Sequence, residues 1–107
     1  MPSYLYRVGY TSQAWATQLQ HQQNRIDAIR PVVEGMGGKI VSAYYAFGED
    51  DLIVICDMPD NVAAAAFSIA AGAGGAVTHI HTTPLMSIDE GMKAIKKGAA
   101  SSYKPPS

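Results

Sequence analysis

Apolar residues along the chain follow two different periods, and the changes of period divide it into elements. In residues 4–11, Tyr4, Tyr6, Val8 and Tyr10 fall on one side and Leu5, Arg7 and Gly9 on the other, the two-residue period of a strand. Ser12 stands where a helix cap is expected. Residues 13–36 then read as helical, with Ile26, Ile29, Val33 and Met36 forming one apolar stripe. The polar run from Gln18 to Asn24 leaves room for a break, and Pro31 predicts a kink or an edge. Arg30 and Glu34 are an i,i+4 pair on the wet side. Gly35, Gly37 and Gly38 supply the left-handed positions that end a helix.

Two strands follow, over 39–47 and 52–56, joined by a turn at Gly48 to Asp51. The strand 52–56 is apolar on both faces, so both faces need cover. One layer of helices covers only one of them, and a partner subunit is the simplest cover for the other. Asp60 is placed to cap a second helix through Val62, Ala63, Ala66, Phe67, Ile69 and Ala70, closed by Gly72, Gly74 and Gly75. A last strand is expected over 76–83, broken by Pro84. Ser87-Ile88-Asp89-Glu90 is a capping box for a terminal helix with the stripe Ile88, Met92, Ile95. Lys93, Lys96 and Lys97 suit the negative end of its dipole, and Gly98 is expected to end it. Residues 1–98 form the expected domain, and 99–107 a flexible tail.

Strand-helix-strand-strand-helix-strand is the ferredoxin-like order of the α+β class. Right-handed crossovers then give an antiparallel sheet in the order 4-1-3-2, with the terminal helix as an addition. Chains of this plan commonly pair their sheets into a dimeric α+β barrel, which would cover the second face of the strand 52–56.

With 107 residues the chain has room for one domain. A domain of this size buries only about two thirds of its unfolded surface and gains from self-association. A net charge of -1 and the absence of a continuous basic stripe argue against a nucleic-acid partner. No apolar stretch approaches the roughly 20 residues that span a bilayer. The opening residues lack signal-peptide architecture, so a cytoplasmic location is expected. The lone cysteine, Cys56, excludes an internal disulfide and sits in the most apolar strand, where it acts as a small hydrophobe. The glycine groups close helices rather than open them, which removes a phosphate-loop reading.

Several motifs agree in order and spacing with one family. Gly37-Gly38-Lys39, Gly48-Glu49-Asp50-Asp51-Leu52, Pro59-Asp60, Ala63-Ala64-Ala65-Ala66 and Gly75-Ala76-Val77 resemble the GYD domain family of small bacterial proteins, over roughly residues 3–87. The resemblance implies a ferredoxin-like fold and a dimer, and no particular reaction. One departure stands out: Asp50 occupies the place of the family's eponymous tyrosine.

In this topology the end of the first strand, the start of the first helix, the turn between the second and third strands and the start of the last strand share one end of the sheet. Tyr10, Trp15, Glu49, Asp50, Asp51, Val77 and His79 gather there. His79 and His81, two apart on the last strand, face the same way and are the candidates for proton transfer. They are also weak candidates for a metal, since a third ligand from Glu49 to Asp51 would sit two strands, or about 10 Å, away. A histidine pair on an edge strand also serves simply as a wet or hydrogen-bonded seam. Tyr6, Tyr10 and Tyr45, with Trp15, Glu49 and Asp51, are the candidate ligand-binding residues, because phenols offer a ring and a hydrogen-bonding tip to a planar ligand. The same tyrosines also suit an interface, and Asp51 suits a structural role on backbone amides. No cofactor is indicated by any motif.

Three functional classes are therefore open. The first is a homo-oligomeric module binding a small ligand in a cavity between sheet and helices. The second is a cofactor-light enzyme of monooxygenase or isomerase type using His79 or His81, by analogy of fold. The third is a purely structural assembly protein.

Overall fold

The computed structural model describes residues 1–106; of the expected tail, Ser107 lies outside the described residues. The order of elements is β1 (Ser3–Tyr10), α1 (Ser12–Gln20), α2 (Arg25–Gly35), β2 (Lys39–Tyr45), β3 (Leu52–Asp57), α3 (Asn61–Ala73), β4 (Val77–Leu85) and α4 (Ile88–Ala99). All strand pairs are antiparallel, and the sheet order is β2-β3-β1-β4, which is the expected 4-1-3-2 read from the other edge. The ferredoxin-like α+β arrangement thus holds.

Local chemistry explains the boundaries that differ from expectation. The long helical segment is two helices, because the polar run breaks it after Gln20. Thr11, not Ser12, caps α1, its side chain accepting from the Ala14 amide. Asn24 caps α2 through the amides of Ile26 and Asp27. Pro31 lies inside α2 and marks no edge. Gly37 and Gly75 do take the left-handed backbone, with φ of 85° and 79°. Pro84 does not break β4; it lies inside the strand opposite Tyr4, where an edge strand tolerates a missing donor. Gly98 is likewise inside α4, which runs on to Ala99.

The core lies between one face of the sheet and helices α2 and α3. Tyr4, Tyr6 and Val8 from β1 meet Leu52, Val54 and Cys56 from β3, with Ile40, Met58, Val33, Ala64 and Phe67 closing over them. Tyr6 is fully buried, its ring edge-on to Phe67 at 5.1 Å and its hydroxyl donating to the Ala64 carbonyl at 2.9 Å. Burial raises its pKa to about 12. Burial likewise holds the Cys56 thiol up at about 11, so it stays protonated at neutral pH.

The opposite face carries no helix. It presents Leu5, Arg7, Ile53 and Ile55, all half-buried, with His79 and His81 from β4. Helix α4 also lies apart from the core, with Ile88, Met92 and Ile95 exposed. The radius of gyration of 17.1 Å exceeds the roughly 13 Å of a compact domain of this length. No helix among the described residues is long and apolar enough to cross a membrane.

Candidate functional site

Two groups of side chains form at the same end of the sheet, one on each face. On the open face, strand register sets Gly9 of β1 opposite His79 of β4. Because Gly9 has no side chain, the imidazole lies over it: a Cβ there would come within 2.3 Å of the His79 ring. The ring thereby reaches across β1, and its Nε2 meets Asp50 Oδ1 at 3.0 Å. The other oxygen, Oδ2, accepts from Arg7 Nη1 at 3.3 Å. The hydrogen bond to His79, then the Arg7 charge, hold the Asp50 carboxyl below its usual range. Sequence spacing had set the turn acids and His79 two strands apart; the missing side chain at Gly9 closes that distance. His79 Nδ1 faces the Thr78 hydroxyl at 3.2 Å. His81 is exposed beside His79, with ring centroids 5.2 Å apart. Among the described residues no group of three His, Cys, Asp or Glu side chains is arranged to hold a metal ion.

On the helix side, Asp51 ties the turn to the sheet. Its amide donates to the Val8 carbonyl and its Oδ2 accepts from the Tyr10 amide, both at 2.8 Å. This anchors Tyr10 just where the β1–β4 register shifts, between Gly9 and Tyr10. The Tyr10 ring stands edge-on to Trp15 at 5.2 Å, and Trp15 tilts against Tyr45 at 6.3 Å. Thr11 donates its amide to the Ala76 carbonyl at 3.1 Å, joining the end of β1 to the approach to β4.

Between these parts lies a cleft of about 290 Å³, walled by Tyr10, one side of α1 including Thr17 and Gln18, Arg25 of α2, and the turn through Gly74 and Gly75. Burial raises the pKa of Tyr10, while the neighbouring Arg25 guanidinium pulls the other way.

The expected site residues therefore separate. Tyr10 lines the cleft, with Trp15 edge-on to its ring. Tyr45 borders a different groove with Ile26 and Leu52. Asp51 fixes backbone, Glu49 is exposed on the turn, and Tyr6 belongs to the core rather than to any cavity. Arg7, Gly9, Gln18 and Arg25 were not legible as site residues; for Gly9, the available signal was a position without a side chain on the strand expected beside the one that carries His79.

The family model for the GYD domain matches residues 4–95. The chain belongs to the GYD domain family. In this GYD domain, Asp50 of the turn between β2 and β3 bonds both His79 and Arg7. The fold of the GYD chain is similar to the crystal structure of MtbAldR, with a TM-score of 0.53 and 17% identity, over 80% of this chain and 52% of that one. The GYD chain thus spans about half the length of that protein, and the likeness is one of fold. No curated protein matches it.

Proposed function

We propose that this GYD protein is a homo-oligomer in which each protomer holds a small molecule in the cleft beside Tyr10. The observation that carries this reading is the cleft itself. Tyr6 is packed wholly into the core, whereas Tyr10, though largely buried, has part of its surface on a cleft lined by polar side chains. A volume of about 290 Å³ is at the lower end of the range of roughly 300–1,000 Å³ for small-molecule sites.

Self-association is supported by what is left uncovered. Leu5, Ile53 and Ile55 form a half-buried apolar strip on the open face, and the α4 stripe of Ile88, Met92 and Ile95 is exposed. Docking α4 and the open face of two copies would remove both from water.

Native mass spectrometry of protein purified without a metal-affinity column tests both halves. The expected result is a dimer or larger assembly carrying an added mass per protomer. A bare monomer at micromolar concentration would contradict the proposal.

A second reading, proton-transfer catalysis on the open face, is favoured by the carboxylate on His79. Both His79 nitrogens have neighbours, Asp50 and the Thr78 hydroxyl, so the exposed His81 would exchange the proton and His79 would orient. A co-purified molecule whose NMR contacts fall on the two imidazoles, and not on Tyr10, would favour this reading over the cleft.

A further inference from the structure

We infer that the ligand of the cleft is a small carboxylate, held by Arg25 with Gln18 and Tyr10; this rests on the cleft being a ligand site. Arg25 has no carboxylate within 4.0 Å among the described residues, the ion pairs being those of Asp50 with Arg7 and His79. Its Nε is buried without a hydrogen-bond partner, and so is Gln18 Nε2. Two unpaired buried donors on one cleft are costly unless an acceptor joins them.

Placement strengthens the reading. Arg25 is the first residue of α2, the end at which the helix dipole disfavours a cation. Its neighbour in the cleft is the neutral Tyr10 phenol, so among the described residues its charge has no counterion, and a residue that breaks a local rule in this way is expected to serve something else. The first turn of α1 also lines the cleft through Gln13 and Ala14, adding the positive end of a second dipole. No acidic side chain lines it. Asp51, whose charge reaches Tyr10, is engaged by the Tyr10 amide.

These features choose among anions. The cleft offers one guanidinium, whose planar fork matches a carboxylate in two parallel hydrogen bonds. The Gln18 amide and the Tyr10 phenol add neutral polar contacts. A phosphate dianion would call for more charge than one arginine supplies.

The test uses the full chain, titrated with benzoate, with its neutral analogue benzamide and with inorganic phosphate, and read by amide NMR. Benzoate is expected to shift the amides of Gln18, Arg25 and Gly75, and to bind at least about tenfold more tightly than benzamide, the loss expected for one charge-assisted hydrogen bond. R25M is expected to lose that preference, and R25K, which keeps the charge without the fork, to retain part of it. An unchanged amide spectrum outside the cleft controls for folding of both variants. Equal binding of benzoate and benzamide, stronger binding of phosphate, or undiminished preference in R25M would overturn the carboxylate assignment while leaving the cleft a ligand site. If none of the three probes shifts the cleft amides and the native mass carries no adduct, both fail.

Discussion

The two faces of the sheet are built from alternate residues of the same strands, yet they obey different rules. On the covered face Tyr6, Val54, Cys56 and Met58 are sealed by α2 and α3. One residue along, Arg7, Ile53, Ile55 and His79 stay half-open to water. The covered face fixes the fold by filling space; its Tyr4 and Tyr6 hydroxyls are satisfied inside, by Asn61 Oδ1 and the Ala64 carbonyl. The open face mixes an apolar strip with a charged cluster, a composition that is costly alone and useful against a second surface. Stability is expected to reside on the first face, and association and chemistry on the second.

The sharpest break of this contrast is Phe67→Ala, which opens a cavity beside Tyr6. It is expected to cost about 3–5 kcal/mol in chemical denaturation with no change in oligomer mass where the protein remains folded. On the same face, Tyr6→Phe removes the hydroxyl that donates to the Ala64 carbonyl, which keeps its partner within α3, at a cost of about 1 kcal/mol. It also has a pH signature. The folded pKa of Tyr6, about 12, lies above its ordinary value of 10.0. The corresponding stability is therefore fully present below about pH 10 and is lost as pH rises toward 12. The variant should show a shallower alkaline decline.

On the open face, Gly9→Ala forces the His79 ring aside and is expected to cost about 1–3 kcal/mol as overpacking. Imidazole NMR should then report loss of the Asp50 contact. Ile55→Lys should alter protomer stability by no more than about 0.5 kcal/mol yet shift the assembly toward monomer in analytical ultracentrifugation. Asp50→Asn is the smallest effect. Its depressed pKa means that its stabilisation is present above about pH 4, the unfolded carboxylate value, and is lost as pH falls through the lower folded value. Wild type and variant should converge in acid.

The division between faces also marks what could be read in advance. The β1 and β3 alternation, the Asp60 cap and the Ser87 capping box are short-range signals, and each appears where the pattern put it. The doubly apolar β3 correctly announced a face that the protomer does not cover. What was hidden depends on pairs distant in sequence. Asp50 and His79 meet because of an absent side chain on a third residue, Gly9. Arg25 becomes part of a cleft only because the polar run bends the chain between α1 and α2. Tyr6 and Tyr10 read alike in the strand pattern and both are buried, but Tyr6 ends against Phe67 and Ala64 whereas Tyr10 also lines the cleft.

Gly9 also ties together two positions that never share a local motif. With an aromatic ring lying over the strand at residue 79, glycine at residue 9 leaves it room; a larger residue at 9 forces the ring aside or favours something short at 79. Across the family the two sites should therefore drift as a pair, and an acid at position 50 should accompany the glycine–histidine combination more often than the bulky one. The imprint of the cluster would then be found in which residues change together rather than in any one that stays the same.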